Sequence, residues 1–93
     1  GDSQIEAILT PCHTMGHCCY LFQSKHEKLV FTGDFLFMCG VGKFFEGNAK
    51  MKWESIETFK QRVDPSAYFF HAHEYALRNI EFQVNLDQKN KEL

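Results

Sequence analysis

Short apolar runs separated by turn residues, and then a change of period, organise this chain. Gln4–Thr10 reads as a strand that runs into Pro11. Cys18–Gln23 is a second apolar run, and Ser24–Lys28 a polar turn. Lys28–Thr32 is β-rich and stops at Gly33-Asp34. The stretch holding Gly40, Gly42 and Gly47 is too glycine-rich for a regular element and reads as an ordered loop. From Asn48 onward Trp53, Ile56, Lys60 (through its stem) and Val63 recur at spacings of three and four. That spacing predicts an amphipathic helix near 50–63, capped by Asn48 and ended by Asp64-Pro65. Ala67–Phe70 is a short buried strand, and Leu77, Ile80 and Val84 mark a last helix of about ten residues. The expected order is β-β-β-α-β-α.

Ninety-three residues allow one domain at most, with a modest core. A hydrophobic share of 44% excludes a disordered segment, and ten Phe suggest a core covered on more than one side. The net charge of −2 gives no electrostatic reason to expect nucleic acid or an anionic membrane as partner. No apolar run approaches the roughly 20 residues that span a bilayer. The opening Gly1-Asp-Ser-Gln has neither Met nor a signal pattern, so the start reads as an internal boundary. The closing Asn90-Lys-Glu-Leu93 only faintly resembles a retention tetrapeptide and reads as a polar tail. Cys12, Cys18, Cys19 and Cys39 form no C-x-x-C pair and are expected to be reduced, mostly buried thiols of an intracellular protein.

Three residues that can ligate a metal stand just beyond predicted strands: His13, Asp34 and His73. Each alone has a plainer explanation: a surface-loop histidine, a turn or capping aspartate, a capping or core histidine. A carboxylate at the end of a buried strand is nevertheless costly unless paired or metal-bound. Two imidazoles with one shared carboxylate suit Zn²⁺, and also Fe or Mn if more oxygen ligands join. Cys12, His17, Cys18 and Cys19 make a poor zinc knuckle, because adjacent strand residues point to opposite faces.

The phrases Thr10-Pro-Cys-His13-Thr-Met-Gly-His17, Phe31-Thr-Gly-Asp34, Gly42-Lys-Phe-Phe-Glu-Gly47 and His73-Glu-Tyr75 resemble the second half of the metallo-β-lactamase fold. More narrowly they are similar to glyoxalase II, the hydroxyacylglutathione hydrolases, from about Gln4 to about Leu86. The first two phrases are shared across that superfamily; the last two are closer to glyoxalase II. The resemblance implies an α+β fold that is one half of a four-layer αββα sandwich. Residues 1–93 would be a partial domain, lacking the N-terminal T-H-x-H-x-D-H half and the C-terminal helical domain.

It also implies roles. His13 would bind a first metal, His73 a second, and Asp34 would bridge both as the central catalytic residue. Lys43, Phe45 and Tyr75 would face the glutathione portion of an S-acylglutathione such as S-lactoylglutathione. Water activated between two divalent cations, Zn²⁺ first with Fe or Mn as alternatives, would hydrolyse the thioester. Phe45 stands where the family often has Tyr, and His71-Ala72 replaces the usual Cys-Gly. Cys12 and Cys39 match no ligand and are read as packing, and His17 as supporting. Half a ligand set cannot complete two metal shells, so the 93 residues alone are expected to be inactive. The bare sheet face would need the missing half, a second copy or a larger assembly to cover it. The compartment would be cytoplasm or mitochondrion. Two alternatives remain: a non-catalytic interaction or scaffold module of the same fold, and a hydrolase for another thioester.

Overall fold

The apolar runs become strands because the parallel and antiparallel ladders between them satisfy their backbone groups. The computed structural model describes residues 3–86, so the opening Gly1-Asp2 and the Asn90–Leu93 tetrapeptide lie outside the described residues. The elements are β1 (Gln4–Leu9), β2 (Cys18–Gln23), β3 (Lys28–Gly33), β4 (Leu36–Phe37), β5 (Gly40–Val41), α1 (Ala49–Arg62), β6 (Tyr68–His71) and α2 (Ala76–Leu86). The main sheet has the order β1-β2-β3-β6. β1, β2 and β3 form an antiparallel meander, and β6 returns parallel to β3 after the α1 crossover. The expected order holds, with one addition. The glycine-rich stretch contains a small antiparallel ribbon, β4 with β5, turned at Met38-Cys39. Its strands are two residues each, too short to leave a periodic trace in sequence.

Alternation along each strand separates two faces. Ile8, Leu21 and Val30 point to one side and are almost fully buried, with Phe59, Val63, Ala67 and Phe69 packed on them. Ile5, Leu9, Tyr20, Phe31, Tyr68 and Phe70 point to the other side and are exposed, Ile5 at 74%. Phe31 and Phe70 stack there at 5.2 Å between ring centroids. The second face is thus apolar but has no layer over it among the described residues, so the cover on more than one side that the ten Phe suggested is present on one side only.

Helix α1 lies on the covered face, and its cap is as expected: Asn48 Oδ1 accepts from the Met51 N–H at 2.9 Å. Its inward stripe is not. Trp53 is 62% exposed, whereas Lys52 and Ser55 are buried at 4% each. The helix is turned by about 100°, one residue, from the expected setting. Phe59 and Val63 hold the apolar half of the stripe, while its first turns meet loop backbone and need polar donors. The thiols also divide: Cys12 and Cys19 are buried, Cys18 is intermediate and Cys39 is exposed, all free. Among the described residues no helix is long and apolar enough to cross a membrane.

An ion pair closes the end of α1 onto the sheet. Lys28 Nζ stands 2.6 Å from Asp64 Oδ2. The Lys28 contact, then the Ser66 N–H and hydroxyl, hold the Asp64 carboxyl well below its ordinary value of 3.8. A depressed folded pKa stabilises above the unfolded value and loses that effect as pH falls through it. Lys28→Ala is therefore expected to lower the melting temperature slightly at pH 7, with the difference from wild type shrinking below about pH 4; melts at both pH values check this. Replacing the cap, Asn48→Ala, is expected to cost about 1 kcal/mol, read by denaturant titration.

Candidate metal centre

Three loops at one end of the sheet bring the candidate residues together. The loop after β1 is closed by the Thr10 N–H, which donates to the His17 carbonyl at 2.8 Å. Thr10 Oγ1 lies 3.0 Å from His17 Nδ1, so His17 is engaged in holding this loop. Cys12, at φ 146°, turns the backbone sharply just before His13, a conformation that costs about 1–3 kcal/mol where the surroundings impose it.

The second loop follows β3. The register against β6 shifts between Phe31 and Gly33, and Gly33 takes φ +52°. This irregularity re-aims the chain at the strand end, as bulges do, and delivers Asp34. The Phe35 N–H then donates to the Thr32 carbonyl at 2.9 Å, and Thr32 Oγ1 donates to the Leu36 carbonyl at 2.7 Å. The third loop, after β6, carries His73 and Tyr75, whose rings stack at 5.6 Å, with Phe37 edge-on to both.

The result is one carboxylate with an imidazole on each oxygen. His13 Nε2 is 3.4 Å from Asp34 Oδ2, and His73 Nε2 is 2.8 Å from Asp34 Oδ1. Asp34 Oδ1 is nonetheless a buried atom with no hydrogen-bond partner, so His73 approaches without hydrogen-bond alignment. On the other side of the His13 ring, Nδ1 lies 2.9 Å from the Lys43 carbonyl. A carbonyl only accepts, so Nδ1 carries the proton, and in the neutral ring the Nε2 lone pair faces Asp34. The 3.4 Å separation is longer than a charged hydrogen bond, and that neutral form suits a cation between the two groups. Among the described residues no group of three or more His, Cys, Asp and Glu side chains is gathered closely enough to hold a metal by itself. His13, Asp34 and His73 meet as a chain of two contacts centred on the carboxylate, a donor set that fits part of two cation sites.

A cavity of about 570 Å³ opens onto this carboxylate and is lined by His13, Asp34 and His73 together with Lys43, Phe45 and Tyr75. All six candidate residues therefore share one site. The Phe45 ring sits 4.9 Å from the His13 ring. Gly42 explains part of the Gly42–Gly47 phrase: a Cβ there would collide with the Asp34 carbonyl oxygen and come within 3.2 Å of His13 Nδ1.

Two contributors carried no assignment from sequence. Glu46 Oε1 accepts from the Met15 N–H at 2.8 Å, and the Glu46 N–H donates to the Cys12 carbonyl at 3.2 Å; together they tie the Lys43 loop to the His13 loop. Asn79 lines the cavity and donates from Nδ2 to the Met38 carbonyl at 2.9 Å, anchoring α2 to the β4–β5 ribbon. Glu46 stood inside a quoted phrase, so its position was signalled. Asn79 had no signal in the sequence beyond lying in the last helix, because its partner, the Met38 carbonyl, is distant along the chain.

Known proteins agree with this architecture. A family model described as the metallo-beta-lactamase superfamily matches residues 1–89. The chain is 38% identical over 91 residues to a cytoplasmic hydroxyacylglutathione hydrolase of Arabidopsis thaliana, covering 96% of this chain and 35% of that protein. It is 40% identical over 93 residues to a hydroxyacylglutathione hydrolase of Rhizobium etli, covering 100% and 35%. It is 39% identical over 86 residues to a probable hydroxyacylglutathione hydrolase of Schizosaccharomyces pombe, covering 92% and 34%. The chain thus spans about a third of the length of the curated relatives it matches. Among solved structures, a metallo-beta-lactamase from Staphylococcus aureus superposes with a TM-score of 0.62 at 21% identity, over 78% of this chain and 24% of that one, a likeness of fold. On its sequence and its fold alike, this chain belongs to the metallo-beta-lactamase superfamily.

Proposed function

We propose that the polypeptide containing these residues is a thioester hydrolase acting on S-acylglutathiones, such as S-lactoylglutathione, to give glutathione and a 2-hydroxy acid. One observation carries this: a carboxylate flanked by an imidazole on each oxygen opens onto a cavity that also holds Lys43 and Tyr75. The similarity to hydroxyacylglutathione hydrolases at 38–40% identity supports the choice of substrate class.

His13 would hold one divalent cation, His73 a second, and Asp34 both, since a carboxylate can present one oxygen to each. Zn²⁺ is the first choice, with Fe or Mn as alternatives. Such cations, when bound, supply a lowered water pKa and a polarised carbonyl. The chain's own residues do the rest. The Lys43 carbonyl fixes the His13 tautomer and ring plane, as outer partners of metal-binding histidines do. The Lys43 ammonium attracts the carboxylates of a glutathione portion, and the Tyr75 hydroxyl can donate to it. Phe45 gives an apolar wall in place of a phenol, forgoing one hydrogen bond worth about 0.5–1.5 kcal/mol. Remaining ligands, and a layer over the bare face of Ile5, Tyr20 and Phe31, would come from the rest of the polypeptide, a second copy or a larger assembly. The site of action would be intracellular, in cytoplasm or mitochondrion.

Phe45 and His71-Ala72 favour a second possibility, a non-catalytic scaffold module of the same fold. A T-H-x-H-x-D-H segment elsewhere in the polypeptide separates the two, because without it the dinuclear site cannot be completed.

In the full-length protein S-lactoylglutathione is expected to be hydrolysed, while residues 1–93 alone show no turnover. Lys43→Ala and Tyr75→Phe should each raise KM several-fold with kcat little changed; unaltered KM in both would remove the glutathione assignment. Asp34→Asn, nearly isosteric but uncharged, is expected to abolish activity and to lower bound zinc per chain, as measured by elemental analysis after dialysis.

A further inference from the structure

The inner face of α1 carries two buried polar residues where an amphipathic helix ordinarily carries apolar ones. Lys52 and Ser55, one turn apart, are each 4% exposed. Each donates to a main-chain carbonyl of a loop that presents a candidate ligand. Lys52 Nζ donates to the carbonyl of Phe35, the residue after Asp34. Ser55 Oγ donates at 2.9 Å to the carbonyl of Pro11, two residues before His13. The Lys52 ammonium also lies over the Phe35 ring, 3.8 Å from its centroid, a cation–π contact.

Among the described residues no carboxylate comes within ion-pair distance of Lys52. Burial lowers its pKa, with the Cys12 and Cys19 thiols opposing. A buried ammonium without a carboxylate is expensive, and an unbranched apolar side chain would fill the same space. What only the ammonium supplies is the bond to the Phe35 carbonyl and the contact over the Phe35 ring. The neighbouring turn bonds, Phe35 N–H to Thr32 and Thr32 Oγ1 to Leu36, leave the Phe35 carbonyl to Lys52.

Resting on the dinuclear assignment above, we propose that Lys52 is a positioning residue of the metal centre. Through the Phe35 carbonyl it fixes the Asp34–Phe35 peptide, and so the direction of the carboxylate between His13 and His73. Ser55 holds the His13 loop from the same helix face. Helix α1 thereby sets the spacing of two ligand loops that belong to different strands.

The test uses the full-length protein and reads zinc affinity by competition with a chromophoric chelator, beside the melting temperature of the metal-free form. Lys52→Met is expected to weaken zinc binding by about 10- to 100-fold, with the metal-free melting temperature within a few degrees of wild type. Lys52→Arg, which can still donate to the carbonyl, should recover most of the affinity, and Ser55→Ala should show a smaller loss. Unchanged zinc binding in Lys52→Met overturns the proposal. So does a loss that tracks a fall in melting temperature and is not recovered by Arg. Should Lys52→Met fail to fold, the Lys52 Nζ resonance of ¹⁵N-labelled wild type decides: a shift on zinc addition supports the role, and an unmoved signal refutes it. Wild type that binds no zinc would remove the dinuclear assignment and this proposal with it. Zinc binding without thioester turnover would remove only the thioesterase assignment, and the Lys52 comparison would still decide.

Discussion

A carboxylate with one buried oxygen, at the end of β3, governs this structure. Asp34 leaves β3 at a register shift, and its Oδ1 is buried with no hydrogen-bond partner. Burying one oxygen of a carboxylate is costly unless a donor or an opposite charge faces it. The compensation must come from the imidazoles of His13 and His73 or from cations held among them. Much of the surrounding structure keeps those side chains in place: the Thr10–His17 closure, the Lys43 carbonyl on His13, and the Thr32 bonds that flank the Asp34 turn.

The same constraint accounts for the unusual face of α1. A helix packed only on apolar neighbours would bury a continuous hydrophobic stripe. Here the C-terminal half does so with Phe59 and Val63, while the N-terminal half meets loop carbonyls that have left the sheet ladder. Buried carbonyls need donors, and Lys52 and Ser55 supply them. The helix is both a core layer and a brace between loops.

The other side of the sheet shows a different incompleteness. Tyr20, Phe31, Tyr68 and Phe70 are exposed in a row across three strands, and an apolar face of this kind is seldom left to solvent in a monomer. Helix α2 likewise leaves Leu77, Phe82 and Leu86 exposed. Beside these two uncovered apolar faces stands a chain that spans about a third of the length of the curated relatives it matches.

The regular elements were legible because their signals are local. Strand runs, the Asn48 cap and the stop at Asp64-Pro65 depend on neighbours in sequence, and the elements lie within a residue or two of expectation. The strand ends before His13, Asp34 and His73 marked three candidates that line one cavity, whereas Lys43 was indicated only by the resemblance of its phrase. The β4–β5 ribbon was invisible because two-residue strands have no period. The rotation of α1 that exposes Trp53 and buries Lys52 was hidden for another reason. Hydrophobicity ranks side chains by their partition from water, but burial at that face was decided by two carbonyls, of Pro11 and Phe35, distant in sequence. The sequence by itself determined which donors exist and which strand ends carry them. Only the tertiary structure decided that both imidazoles address one carboxylate and that a lysine braces it, because those relations arise from loops brought together by the sheet.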